Sequence, residues 1–288
     1  MMNISNDISG KIDSAVIEAI AIISTLAYEM SIPLFLVGAA ARDMIFSTLF
    51  DIQATRRTLD VDVAIRVASW NQVNDLAAEL RRTGLFLRDS RIQHRFRFRD
   101  GVIFDMVPFG DVENPTGKVR WPSHGDVVMS TIGFREAFEH SIAVTLRTNP
   151  RLEINVCAPP GLAILKLMAW NDAYPARTKD AQDLLFIMKH YIDAGNDERL
   201  HDQDKDIMEE PDFDFGLASP RLLGRDMGNI ASRTTREHIT RILTTETGTH
   251  AHYRLISDML AGELNKEERM EQTVTLLNHL RLGFAERS

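Results

Sequence analysis

The triplet Pro159-Pro160-Gly161 constrains the fold of this chain more than any other feature. It separates two kinds of hydrophobic patterning that belong to different element types. Before it, short apolar runs of strand length alternate with stretches of helical spacing. After it, only helical spacing remains. The pattern predicts an α/β (α+β) domain with a mixed sheet and flanking helices over residues 1–158, followed by a helical domain over 159–288.

In the first part, Ile12, Val16, Ile20, Ile23 and Ala27 recur at helical spacing over 11–30. A strand is expected over 33–37, a helix over 39–50, a polar connector over 51–58 and a strand over 60–67. A helix over 70–82 follows, and then strands over 85–88, 94–99, 102–107, 142–146 and 152–156. In the second part helices are expected over 162–173, 178–194 and in several segments between 219 and 283. Between them, 196–215 carries nine acidic residues against Arg199 and Lys205. It lacks the glycine and ligand spacing of a calcium loop and reads as an exposed, mobile acidic loop.

Composition narrows the functional classes. Apolar residues make up 44% and charged residues 26% of the 288, enough to bury a sizeable core without staples. The single Cys157 excludes a disulfide scaffold and a Cys-only zinc site, and reads as a small buried apolar residue. The most apolar stretch, 15–28, contains Glu18 and is too short to span a membrane. No basic start precedes it, so a soluble, cytoplasmic protein is expected. The net charge of −8 argues against a generic nucleic-acid coat, though not against a local basic patch. Arginines outnumber lysines 26 to seven, a skew that suits bidentate grip of phosphates and equally fits a compositional bias of the source genome.

Three stretches could carry chemistry. In Asp60-Val61-Asp62-Val63, two carboxylates at i and i+2 of a strand share one face while the valines face the core, a pattern that by itself fits a solvated strand face first and a metal site second. Such a pair repels itself unless a cation intervenes, and its hard oxygens suit Mg²⁺ completed by substrate phosphates. In Phe104-Asp105-Met106-Val107, an Asp inside an apolar strand needs a partner: either a metal shared with Asp60 and Asp62, or one of the many arginines. In Val37-Gly38-Ala39-Ala40-Ala41-Arg42-Asp43, a glycine turn opens a helix whose backbone N–H groups could approach a phosphate. Arg95, Arg97 and Arg99 alternate with Phe96 and Phe98, giving one basic strand face that is either solvated or a groove for a polyanion. His250 and His252 diverge on a helix and are not expected to bind metal.

Taken in this order, the three stretches resemble the DNA polymerase β-like nucleotidyltransferase superfamily. More closely, the chain resembles the AbiEii/AbiGii-type nucleotidyltransferases, many of them toxins of type IV toxin–antitoxin pairs. The similarity runs through Gly38–Asp43, Arg57-Thr58-Leu59-Asp60-Val61-Asp62, Phe104–Gly110, Gly161–Trp170 and Arg177–Asp183. It implies a nucleotidyltransferase-type sheet and Mg²⁺-dependent transfer of a nucleoside monophosphate from an NTP to an acceptor hydroxyl. The acceptor would be tRNA, another RNA, a protein or a small molecule, and a cognate antitoxin is an implied partner. Asp60, Asp62 and Asp105 would hold metal and act catalytically, and Asp183 would serve as a base. Gly38, Ala39, Arg42, Lys166 and Lys179 would contact the nucleotide. One departure is Ala39, where many relatives carry Gly or Ser; relative to Ser, one possible triphosphate contact through the hydroxyl is missing. A non-catalytic nucleotide-binding module and an antibiotic-modifying transferase are the rival readings; the acidic 197–214 run would serve the second by receiving a cationic drug.

Overall fold

In the computed structural model the described residues are 6–54, 60–99, 101–122, 128–210, 213–248 and 251–286. Arg57, Thr58, Leu59, Asp212 and His250 therefore lie outside them. The chain divides into two compact units, 1–158 and 159–288.

The first unit opens with α1 (Ser14–Glu29), β1 (Leu34–Val37), α2 (Gly38–Arg42) and β2 (Asp60–Val67). It continues through α3 (Trp70–Arg82), β3 (Phe86–Arg88), β4 (Arg95–Phe98) and β5 (Val102–Gly110). A hairpin of β6 (Lys118–Arg120) and β7 (Val128–Ser130), then α4 (Phe134–Glu139), β8 (Ile142–Thr148) and β9 (Arg151–Val156), complete it. Seven strands form one mixed sheet in the order β3-β4-β5-β2-β1-β9-β8. The β2–β5 and β1–β9 pairs are parallel and the others antiparallel.

Period-two alternation decides which face of the sheet is buried. On the rear face Val61, Val63 and Ile65 of β2 and Phe96, Phe104 and Met106 of β4 and β5 pack against Ile23 of α1 and Leu76 and Leu80 of α3. Phe86 stacks there on Phe98 and Phe104, with centroids 5.0 and 6.2 Å away. Each such ring contributes roughly 1.5–3 kcal/mol by burial. The front face is covered only in part: Phe35 and Phe109 meet Phe138 of α4 at 5.5 and 5.9 Å, and α2 lies over β2. The small, buried Ala64 on that face leaves room for this cover.

Several local outcomes differ from the sequence expectation. The helix over 11–30 begins at Ser14 because the Asp13 side chain accepts from Ala15 N–H at 2.7 Å and caps it. The stretch 39–50 is not one α-helix: after α2 the chain widens into a π-helical turn, Asp43–Leu49, and the Thr48 hydroxyl donates to the Asp43 carbonyl five residues back. The β6–β7 hairpin and α4 are too short to leave a periodic signal.

The second unit holds α5 (Pro159–Asp172), α6 (Thr178–His190), α7 (Asp197–Asp202), α8 (Phe215–Ile230), α9 (Arg233–Thr247), α10 (Arg254–Met259) and α11 (Lys266–Glu286). Pro159 and Pro160 occupy the first turn of α5, where a missing N–H costs nothing. Helix α5 is buried almost all round, packing on α6 and α8. Helices α8 and α11 close backbone to backbone, since a Cβ at Gly283 would fall 2.0 Å from the Arg221 carbonyl oxygen.

The acidic stretch is not the mobile loop expected from its composition. It folds into α7 and a 3-10 turn (Lys205–Ile207), with Leu200 and Ile207 buried. Arginines neutralise much of it. Arg225 pairs with Asp204 at 3.0 Å, with Asp206 and with Glu286. Arg199 holds Asp204 and Asp226 at 3.2 and 2.8 Å, and Arg221 holds Glu210 at 2.6 Å. Among the described residues no helix is long and apolar enough to cross a membrane.

Candidate active site

Strand register assembles the acidic face of the first unit. The β2–β5 pairing sets Asp62 opposite Asp105. The β1–β2 pairing sets Val37 opposite Asp62, and the β4–β5 pairing sets Arg95 opposite Asp105. Val37, Asp62, Asp105 and Arg95 thus form one row across four strands, on one face, with Asp60 two residues along. The three carboxylates expected to converge do share this face.

Gly38 acts on that row in a way the sequence did not suggest. Its φ is +69°, and a Cβ placed on it would lie 2.0 Å from Asp62 Oδ2. The missing side chain is therefore the space that the Asp62 carboxylate occupies. Ala39 and Arg42 follow, both buried, in α2. The Arg42 guanidinium donates through Nε and Nη2 to Asp43 Oδ1 at 2.9 and 2.6 Å, so it faces its own neighbour in the chain.

Arg95 decides the electrostatics of the face. Its Nε donates to Asp105 Oδ1 at 2.8 Å and its Nη2 to Asp105 Oδ2 at 2.7 Å. Nη2 also lies 3.7 Å from Asp60 Oδ2. The bidentate bond to Asp105, together with the charges of Asp105 and Asp60, outweighs partial burial and holds the guanidinium pKa above its ordinary value. Of the two partners open to Asp105 from sequence, the structure selects an arginine. Arg95 consequently faces carboxylates rather than a polyanion; Arg97 on the same face is exposed, and Arg99 pairs with Glu18 at 2.5 Å.

Among the described residues no group of three or more His, Cys, Asp or Glu side chains is arranged to hold a metal ion. Asp60 and Asp62 offer the hard oxygens that Mg²⁺ takes, and two carboxylates with substrate phosphates make an ordinary Mg²⁺ set. Asp105, with both oxygens bonded to Arg95, does not fit as a third ligand in this arrangement.

The second unit holds its own polar cluster. Lys166, on buried α5, donates to Asp180 Oδ1 at 2.8 Å and lies 2.6 Å from Asp183 Oδ2. Arg177 Nε also reaches Asp180. All three members, Lys166, Asp180 and Asp183, are under 10% exposed. Burial alone would lower the ammonium pKa; the two carboxylates reverse this and hold it above the usual lysine value. Lys166 is therefore a buried cation held between two carboxylates. Lys179 is exposed in the first turn of α6.

The model of the family described as nucleotidyl transferase AbiEii toxin, type IV TA system, matches residues 44–256. The chain belongs to the AbiEii family. It is thus a nucleotidyltransferase by family, on a mixed α/β sheet. No curated protein matches it. Among solved structures, the AbiEii chain is similar to the solution structure of the antibiotic-resistance factor ANT(2'')-Ia, at 11% identity and a TM-score of 0.35, covering 69% of this chain and 100% of that one. A CCA-adding enzyme with ATP shows 11% identity and a TM-score of 0.30, over 94% and 70% of the two chains. The Thermotoga maritima CCA-adding enzyme complexed with tRNA shows 10% and 0.27, over 96% and 80%.

Proposed function

We propose that this AbiEii chain transfers a nucleoside monophosphate from an NTP to an acceptor hydroxyl on RNA, tRNA among the candidates, or on protein. The observation that carries the reading is the pair Asp62 and Asp105 side by side in register, with Asp60 two residues along and Gly38 against the Asp62 carboxylate. In the transfer the acceptor oxygen bonds the α-phosphorus, the bond to the β-phosphate bridge breaks, and pyrophosphate leaves. The hydroxyl proton passes to a base on the acidic face.

Asp60 and Asp62 would hold Mg²⁺, which when bound supplies charge to the phosphates and the leaving pyrophosphate. Gly38 keeps the Asp62 carboxylate in its place against the turn into α2. Lys166 and Asp183 are assigned to the nucleotide and to catalysis by family resemblance; the geometry adds that the two side chains touch. The family description supports a toxin role, with a cognate antitoxin as partner. The rival small-molecule reading needed an acidic surface for a cationic drug, and Asp204, Asp206 and Glu210 of that run are already paired with arginines.

Incubation of the protein with each labelled NTP, Mg²⁺ and either total RNA or cell protein tests the proposal. Label is expected on one of the two acceptors, and to vanish with Asp62→Asn. Absence of transfer with all four NTPs would overturn it.

A further inference from the structure

We propose that Arg95 is an internal cation that competes with a divalent metal for Asp105 and Asp60. The inference rests on the nucleotidyl-transfer reading above, in which this face meets a metal and a nucleotide. Three carboxylates on one open sheet face repel each other, and folding would drive them apart without a counter-charge. The register of β4 on β5 supplies one, setting Arg95 directly across from Asp105.

The guanidinium satisfies both Asp105 oxygens and extends the same Nη2 toward Asp60. It thus already spends the Asp105 carboxylate, and part of the Asp60 charge, that a divalent cation on this face would draw on. A metal drawing on Asp105 must break two charge-assisted hydrogen bonds and release Arg95. Release is feasible, because the Arg95 side chain is 28% exposed whereas that of Asp105 is 12% exposed. The acid is fixed and the base is the movable partner. A freed guanidinium on this face would meet the phosphates of an arriving nucleotide, with which it pairs bidentately as well as with a carboxylate. Metal entry and nucleotide entry then favour each other.

The test is binding of Mn²⁺ alone, in nucleotide-free protein, by calorimetry and by electron paramagnetic resonance. Arg95→Gln should bind Mn²⁺ at least tenfold more tightly than the wild type, and the double variant Arg95→Gln/Asp105→Asn should lose that gain. Equal or weaker binding by a cooperatively melting Arg95→Gln protein overturns the proposal. If Arg95→Gln does not fold, Arg95→Lys replaces it: a lysine cannot span both oxygens, so roughly threefold tighter binding is expected and unchanged binding overturns the proposal. Label transfer by the wild type reports separately on the function. Transfer without the Mn²⁺ gain removes the role of Arg95 alone, and the gain without transfer removes the reaction alone.

Discussion

Arg95 and Asp105 face each other in register on antiparallel strands β4 and β5 and share two hydrogen bonds of 2.8 and 2.7 Å. Asp105 is thereby a structural partner of Arg95, whatever else it does. Asp105→Asn should destabilise the fold by about 1–2 kcal/mol, less than for a fully buried pair because Arg95 is partly solvated. A double-mutant cycle with Arg95→Gln, read by urea unfolding, should return a coupling of about 1–2 kcal/mol. Additive effects would show that the pair contributes nothing to stability.

Lys166 lies within 3 Å of both Asp180 and Asp183. Lys166→Met should cost about 3–5 kcal/mol, because it removes the buried cation that both Asp180 and Asp183 contact. The pH dependence has a defined sign. With its pKa raised, Lys166 stabilises the wild type at every pH below the ordinary lysine value and loses that effect only as pH rises through the raised one. In the variant, the uncompensated carboxyls take protons more readily in the folded state. Its deficit should therefore shrink as pH falls from 7 toward 5. Thermal melts across that range check this, and a deficit that does not change with pH would contradict it.

Gly38→Ala should abolish nucleotide transfer and cost about 1–3 kcal/mol. Part comes from a side chain at φ +69°, and part from a Cβ that must displace Asp62. The two parts separate in an Asp62→Ala background, where only the backbone cost should remain. If Gly38→Ala is equally costly with and without the Asp62 side chain, the contact is not the reason for glycine at this position.

Arg225 joins Asp204 and Asp206 of the acidic segment to Glu286 at the end of α11. Arg225→Gln should release that segment while leaving the rest of the second unit folded. Hydrogen exchange should accelerate at least tenfold in α7 and the following 3-10 turn, with a global loss of about 2 kcal/mol. Unaltered exchange there would mean that Leu200 and Ile207 hold the segment without the arginine.

How much of this was legible in the sequence depends on the range of the interaction. The β2 strand and the shared face of Asp60 and Asp62 follow from alternation within a few residues. So does the Pro159-Pro160-Gly161 break, which is written in three adjacent residues. The partner of Asp105 did not follow, because choosing Arg95 requires the register between β4 and β5, which lies in their pairing and not in either strand. The contact of Asp180 to Lys166 did not follow either, because the two residues lie on different helices. The acidic segment misled for the same reason: its local charge indicated a solvated loop, while Arg221 and Arg225 lie further along the chain on α8. The π-helical turn at Asp43–Leu49 had no signal, since Ile45 and Phe46 serve an α-helix equally well.

The fit of Asp62 against Gly38 also has a genetic consequence. Every missense change at a glycine codon installs a Cβ, so no substitution at position 38 leaves the carboxylate where it is. Under the proposed toxin role, a selection for survivors that have lost activity should hit this codon recurrently and with every amino acid within reach of one base change. Position 39 already carries a methyl group and should yield survivors only for larger side chains. The volume of one absent methyl would then be readable from a mutational spectrum, without purifying the protein.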